Sequence, residues 1–537
     1  MPDLAVLAAR LDALEQRVQE AEQVRGEAEQ KAEHYKQLYL SMLERCRKLE
    51  RGLLGQKAER LPSGEGGQLS LEVLALMLDE ESVAELAEPE PKPSEVKGHT
   101  RKKPTGRKPI PEELPRVDIE VLPEEVQREG LDAFERIGEE VSEVIERRPA
   151  SMVAVRLIKP KFVRKGRRER PGTKVFVGTT PERPIPKSVA GPGLLADTLV
   201  RRWQDHLPLH RLEGIYEREG VGIARSTICG WHLELCDLVE PLVAAMRQDA
   251  FEQPYLCVDA TGVLVQAKHK CRTGHFWVMV APERHVLFEY TRDHTNDAVD
   301  SVLAGYEGYL VADAHVVYDH LYAGGQLTEV NCWAHARRYF FKAVSTDPER
   351  ARVALGHIGA LFKIERSLKG APRKKRERIR NKHSQPIVER FFSWCEEVRP
   401  HLIEDTPIAD GVRYALNQKK GLKAFLQDGR LPLSNNISER HLRTKKLGQK
   451  NWLFLGSDDG GRANALFTSL LASCRMLGVE PWAYLRDLLC LLPRWPIHRV
   501  LELAPVHWPA TQQREDVIAK LEADPYRTVT LSRGDGA

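Results

Sequence analysis

Three acidic residues carry the chemistry this sequence could perform: Asp259, Asp313 and Glu439. Asp259 stands in Y-L-C-V-D-A-T-G-V-L-V-Q, where apolar runs at 255–258 and 263–265 flank one carboxylate and a Gly-containing turn. A lone Asp at the end of a buried strand is costly unless it is paired or binds a cation. The alternative is that it caps a turn through its own backbone. Asp313 closes Y-L-V-A-D, a second strand-like run. Glu439 lies in L-P-L-S-N-N-I-S-E-R-H-L-R-T-K-K-L, where Asn435 or Asn436 caps a helix. Lys446 follows it by two turns and shares its face. Glu439 also sits three residues after Asn436, which suits a plain capping box. Carboxylates are the hard oxygen ligands that Mg²⁺ prefers. Two such ions, about 3.5–4 Å apart, can activate a water or 3′-hydroxyl and stabilise the leaving oxygen of a phosphodiester. In that arrangement Asp259 bridges both ions, and Asp313 and Glu439 each hold one.

The elements that must position these groups have a recognisable order. Strand-like runs at 256–258, 276–280 and 286–290 come first, the last two joined by Pro282-Glu283-Arg284. A helix over about 297–303, a strand at 309–313, a helix from Val316, a strand at 327–332 and a helix from Ala334 follow. This is the order of a ribonuclease-H-like α/β domain over 250–475, with a basic helical insertion at 345–430. Asp259 and Asp313 would then leave neighbouring strands at one edge, where open sheets bind ligands. Residues 451–456 and the helix at 467–477 are apolar enough for core, as are Trp333 and Trp452. His335 and Arg338, on the helix after the fifth strand, could meet phosphates or be structural.

The rest of the chain is multidomain α+β. A seven-residue repeat runs over 4–53, with Arg25 the one charged residue at its fifteen core positions. It predicts a coiled coil within 1–60, and self-association through it. Residues 61–113 read as a disordered linker, acidic at 79–95 and basic at 97–108. A small β-rich module is expected at 114–185, with strands at 153–158 and 174–177. Residues 193–248 read as helices. Leu207 to Glu219, the turn Gly220-Val221-Gly222, and a helix opened by Arg225-Ser226-Thr227 outline a helix-turn-helix, as does any αα-hairpin. Residues 476–510 are expected to be helical, and 511–537 a tail.

Net charge is only +4, but its distribution is uneven. Residues 156–174 hold nine Lys/Arg against Glu169, and 366–382 hold nine against Glu377. Such blocks lean toward a polyanion partner, gripped through its phosphates. The nine cysteines include no CxxC pair, which argues against a disulfide framework or zinc knuckle and fits a reducing cytoplasm. No apolar run is long enough to span a membrane.

Several motifs in order make the chain resemble the insertion sequence 66 family of DDE transposases. They are V-D-A-T-G (258–262), V-A-D-A-H (311–315), N-C-W-A-H-A-R-R (331–338), S-N-N-I-S-E-R (434–440), Q-K-N-W-L-F-L-G-S (449–457) and P-W-A-Y-L-R-D-L-L (481–489). L-P-R-V (114–117), I-G-E-E-V-S-E (137–143) and L-P-L-H-R (207–211) are similar too. The resemblance implies a transposase that cuts and joins element ends, with Asp259, Asp313 and Glu439 as catalytic metal ligands for Mg²⁺ or Mn²⁺. It implies DNA contacts from His335, Arg337, Arg338, Arg440, Lys445, Lys446 and Lys450, and small accessory proteins of the same element as partners. Two departures stand out. Residues 118–178 contain no Cys, so no zinc is predicted in a module that typically binds it. Ser434 replaces an Asp, leaving Glu439 as the ligand. These departures motivate the alternative of a DNA-binding or assembly protein whose cutting has decayed. A coiled-coil scaffold is a third reading.

Overall fold

The computed structural model describes residues 110–531 apart from 113, 149–150, 167–171 and 269, with isolated positions between 23 and 42. The expected coiled coil and almost all of the linker lie outside the described residues. The chain divides into two compact units: Lys102–Asn331 with Ser434–Ala537, and a second containing Cys332–Leu433. The helical unit begins at Cys332, directly after the last strand of the sheet, and includes the residues 345–430 expected to be a helical insertion. No helix among the described residues is long and apolar enough to cross a membrane.

The first unit opens with a four-stranded sheet: β1 (Arg116–Glu120), β2 (Phe134–Arg148), β3 (Ser151–Arg164) and β4 (Phe176–Val177). The path runs β1-β3-β2, with β4 on β3. The sequence signalled β3 and β4 but not β2, because F-E-R-I-G-E-E-V-S-E-V-I-E-R-R is rich in Glu, a weak strand former. Cross-strand charge supplies what propensity lacks. Lys159 and Lys161 both pair with Glu140, Arg156 with Asp118, Arg164 with Glu129 and Lys174 with Glu125. Five cations of the 156–174 block are thus matched by acids of their own module.

Helices α1 (Pro192–Trp203), α2 (Leu209–Arg218) and α3 (Arg225–Phe251) follow. Gly220, at φ +86°, makes the turn between α2 and α3. Arg225, Ser226 and Thr227 are exposed at the head of α3, which runs 27 residues and has no side-chain cap.

The second sheet holds β5 (Tyr255–Val265), β6 (Arg272–Ala281), β7 (His285–Thr291), β8 (Gly308–Ala312) and β9 (Leu327–Asn331), with α4 (Asn296–Leu303) between β7 and β8. Its order is β7-β6-β5-β8-β9. β5, β6 and β7 pair antiparallel; β5, β8 and β9 pair parallel. β5 does not turn after Asp259, as the sequence suggested. Ala260, Thr261 and Gly262 stay paired with Trp277, Phe276 and His275, so the strand runs on to Val265.

Helices α5 (Asn436–Trp452), α6 (Asp458–Leu477) and α7 (Pro481–Leu491) complete the unit's core. An edge strand exposes unpaired N–H groups. Here Ser469 and Ser473, one turn apart on α6, accept the N–H groups of Phe288 and Val286 on the edge strand β7 at 2.8 and 2.9 Å. The expected tail instead forms α8 (Glu515–Glu522) and α9 (Pro525–Leu531). Tyr526 and Val529 of α9 pack against Val144, Val153, Val155 and Leu157 of the first sheet, which is why this segment folds.

The Cys332–Leu433 unit is helical, with long helices at Pro348–Ser367 and Gln385–Val398. Trp333 is fully buried there, donating to Leu422 O at 2.8 Å beside Phe391, Phe392 and Phe425. Buried Arg380 bonds Glu365 and the carbonyls of Phe425, Asp428 and Leu431. Of the 366–382 block, Lys369, Lys374, Lys375, Arg378 and Lys382 are exposed and make no ion pair among the described residues.

One buried carboxyl ties the first sheet to the helices. Glu146 of β2 is fully buried, and its Oε1 accepts the N–H groups of Arg147 and Leu194 at 2.7 and 2.8 Å. It caps α1, whose N-cap residue Gly191 has no side chain to do so. A Cβ at Gly191 would come within 2.1 Å of Glu146 Oε2, so glycine is required. Burial pushes this carboxyl up to about 8. A raised acid pKa means that ionisation disfavours the fold. Stability is therefore fullest below the ordinary Glu range and falls as pH rises toward 8. Glu146→Gln is expected to flatten thermal stability across that window, recovering on the order of 1–3 kcal/mol at its upper end. Melting curves across the window check this; an unchanged pH slope counts against it.

Candidate active site at the end of strands β5 and β8

The parallel pairing of β5 with β8 stops at Cys257 opposite Val311. Asp259 and Asp313 each lie two residues beyond that last pair, Asp259 still within β5 and Asp313 just after the end of β8. Both are half-buried. Asp259 Oδ1 accepts the N–H of Ala260 at 2.8 Å, a local bond that leaves the group in its extended strand. Burial, then the charges of Asp313 and Asp259, push the phenol of Tyr318 well above its usual range, so both carboxylates sit near this one ring.

Where β8 ends, the edge of β5 loses its partner, and α5 supplies one. Asn435 is fully buried, and its Nδ2 donates to the carbonyl of Val258 at 2.7 Å, next to Asp259. Further along the same edge, Gly262 O accepts from Gln449 Nε2 at 3.0 Å and Lys446 Nζ at 3.2 Å, and Leu264 O from Leu455 N at 2.8 Å. The acceptors are even-numbered residues of one strand, so their carbonyls share an edge. Asn435 occupies the N-cap position of α5, yet no side-chain cap bond forms there. Its amide is committed to the sheet instead. Glu439, half-buried, lies one turn in, with its N–H on Asn435 O at 3.3 Å. The clamp thus brings the helix bearing the third carboxylate to the strand bearing the first.

The basic residues of α5 separate into two sets. Arg440, Lys446 and Lys450 are exposed, as is Arg443, which the sequence did not single out. Lys445 is a correction: it is 4% exposed and cannot reach a phosphate. Its ammonium donates to Asn464 Oδ1 and to Thr468 Oγ1, and lies 4.4 and 4.6 Å from the ring centres of Phe276 and Phe288. Burial, then the charge of Arg202, hold its pKa well below the usual Lys range. Lys445 fastens α5 to α6 and the sheet. His335, Arg337 and Arg338 belong to the helical unit, Arg338 exposed and the other two half-buried. Trp452 is half-buried, and in the expected core segment 451–456 only Leu455 is buried.

Sequence reasoning missed a row of imidazoles beside Asp313. His294 stacks on Trp277 with ring centres 4.8 Å apart and contacts His275 and His315 at 5.0 and 4.9 Å. Burial, then His315, lower the pKa of His294, while Asp313 opposes the shift. These residues come from three separate segments with no shared spacing, so only V-A-D-A-H hinted at one of them.

Among the described residues, no three His, Cys, Asp or Glu side chains gather closely enough to hold a metal ion. The donors still suit a hard cation. Asp259 and Asp313 both follow the end of the β5–β8 ladder by two residues, and Mg²⁺ binds through one or two carboxylates while keeping several waters.

A mixed sheet with one aspartate inside β5 and another just after the neighbouring parallel strand β8, and a glutamate-bearing helix clamped to β5, defines an α/β domain with a candidate acidic site where β8 ends. The family model described as Transposase IS66 family matches residues 187–463, more than half of the chain, and the chain belongs to that family. Two further models match: Transposase C of IS166 homeodomain over 41–119 and IS66 C-terminal element over 469–506. Among curated relatives, a protein of Sinorhizobium fredii (strain NBRC 101917 / NGR234) with the name Uncharacterized protein y4hP is 28% identical over 488 residues, covering 86% of this chain and 87% of its own. Another from that organism, Uncharacterized protein y4qI, is 29% identical over 426 residues, covering 75% and 78%.

Asn435→Ala removes the only side-chain donor described on Val258 O and leaves a buried carbonyl short of a partner. It is expected to cost about 1–3 kcal/mol of stability. Chemical denaturation of the full chain measures this, and a change below about 0.5 kcal/mol would sink the clamp as a structural determinant.

Proposed function

We propose that this protein is a DDE-type transposase that binds insertion-sequence ends and cleaves and joins DNA strands, using Asp259, Asp313 and Glu439. The observation that supports the reading is that Asp259 and Asp313 each follow the last β5–β8 pair by two residues, while Asn435, at the head of the helix that carries Glu439, bonds the carbonyl of Val258. The strand order β7-β6-β5-β8-β9, antiparallel then parallel, supports a ribonuclease-H-like layout. Asp259 and Asp313 would hold Mg²⁺ or Mn²⁺, with Glu439 completing the set. Such ions, when bound, supply Lewis-acid activation of the attacking oxygen and charge neutralisation at the leaving one. The chain's own task is to fix the three carboxylates, keep the Asp259 backbone extended, and offer Arg440, Arg443, Lys446 and Lys450 to phosphate oxygens. The α2–turn–α3 unit, with exposed Arg225, Ser226 and Thr227, is a candidate reader of the ends. The heptads of 4–53 support self-association, and the family implies accessory proteins of the same element and a cytoplasmic setting.

The second reading, a DNA-binding or assembly protein whose cutting has decayed, is favoured by Ser434 and by the absence of Cys from residues 118–178. Strand transfer with element ends and Mg²⁺ or Mn²⁺ distinguishes the two. Asp259→Asn, Asp313→Asn and Glu439→Gln should each lower cleavage by ~10²-fold or more, the scale of losing a transition-state electrostatic partner. Duplex affinity should stay within about threefold. Undiminished cleavage by the Asp259→Asn protein would refute the catalytic reading; tight binding without cleavage by the wild type would favour the second.

The two lysines separate binding from folding. Lys446→Ala should reduce the salt slope of duplex binding by about one phosphate contact, while Lys445→Met should leave that slope unchanged and lower thermal stability. The reverse pattern in a salt titration would contradict the assignment of α5's faces.

A further inference from the structure

The segment after α5 places apolar side chains where solvent should be. Leu453 is 65% exposed and Phe454 43% exposed, and Leu447 on the outer face of α5 is 59% exposed. The backbone is bent to achieve this. Leu453 has φ +62° and ψ −53°, and the N–H of Phe454 bonds Trp452 O at 2.7 Å, a positive-φ γ-turn. That conformation is rare and strained for a residue with a Cβ. Leu455 then returns to the sheet through backbone bonds with Leu264 and Gln266. The fold therefore holds a two-residue apolar tip outward between two anchored points.

The surroundings of the tip indicate its partner. Along the exposed side of α5, Arg443, Lys446 and Lys450 recur every three or four residues and lead to the tip. None of the three makes an ion pair among the described residues. A cationic stripe ending in an apolar point suits a nucleic-acid duplex, whose phosphates meet the cations while an apolar side chain enters between base pairs. An interface between copies of this chain would instead place like-charged stripes close together unless acidic groups met them.

We propose that Leu453 and Phe454 form a wedge that unstacks a base step of duplex DNA bound along α5. This rests on DNA being the ligand, as argued above. The wedge would lie about 20 Å along the helix from Glu439, at ~1.5 Å per residue, so it acts on DNA flanking the cleaved phosphate rather than on the phosphate itself.

The test uses the full chain and a nicked duplex carrying a fluorescent base analogue whose emission rises on unstacking. Wild-type protein should bind with salt-dependent affinity and raise emission about twofold or more. Phe454→Ala and Leu453→Gly should bind within about threefold of wild type and give no rise. Leu453→Gly relieves the positive φ, so its stability should be unchanged or higher, and lost unstacking cannot then be laid to misfolding. Retained emission in both variants overturns the wedge while leaving the DNA reading intact. A shift of Phe454→Ala to a smaller species in sedimentation velocity, with emission unchanged, assigns the patch to a second copy and also overturns it. Failure of the wild type to bind any duplex removes the reading on which the wedge depends.

Discussion

The bond from Asn435 Nδ2 to the carbonyl of Val258 is the constraint on which the site depends. The two partners are far apart in sequence, and the whole helical unit Cys332–Leu433 intervenes between them. Without an anchor, nothing local would bring Glu439 to Asp259. The bond solves a second problem at the same point. β5 outruns β8, so its carbonyls at 258, 262 and 264 need donors, and α5 with its following segment provides them. Backbone satisfaction and assembly of the candidate site are one arrangement here.

The other end of the sheet follows the same logic with different residues. Ser469 and Ser473 cover the edge N–H groups of β7, and Lys445 ties α5 to α6 through Asn464 and Thr468. Polar side chains thus do much of the docking of these two helices. Each is buried and satisfied, which makes their relative placement specific as well as stable. Placement is what a set of separated carboxylates requires, because a small misorientation at such a site is expensive in rate.

Charge along the chain changes meaning once it is folded. The 156–174 block reads as a polyanion grip in the sequence, yet Arg156, Lys159, Lys161, Arg164 and Lys174 are paired with acids of β1, β2 and the helix Glu124–Glu129. These pairs add little stability each, but they offset part of the local positive charge. Among the described residues, Arg440, Arg443, Lys446 and Lys450 of α5 and Lys369, Lys374, Lys375, Arg378 and Lys382 of the 366–382 block are exposed cations with no ion pair to an acid. Electrostatic attraction for a polyanion is therefore concentrated on fewer surfaces than the sequence suggested.

Short continuous apolar runs marked β7, β8 and β9 near their final bounds and the middle of β6, because burial on both faces leaves a hydrophobic signal that survives without context. Asp259, Asp313 and Glu439 were legible as residue types at the ends or starts of such elements. The extent of β5 was not, because Ala260, Thr261 and Gly262 have turn-like chemistry and are held extended only by β6. Nor was β2, whose glutamates become strand residues only opposite the lysines and arginines of β3. The fate of α5's two adjacent lysines could not be read either. Lys445 and Lys446 are identical in type and differ by a hundred degrees of helical rotation, which buries one between two phenylalanine rings and leaves the other exposed over the β5 edge, on Gly262 O. The outward turn at Leu453 lies beyond sequence for the same reason: N-W-L-F-L-G-S has the composition of core, and only the anchoring of Leu455 to β5 decides that its neighbours face out. Local composition determined the elements and the candidate ligands; pairing across long sequence separations decided which side chains meet.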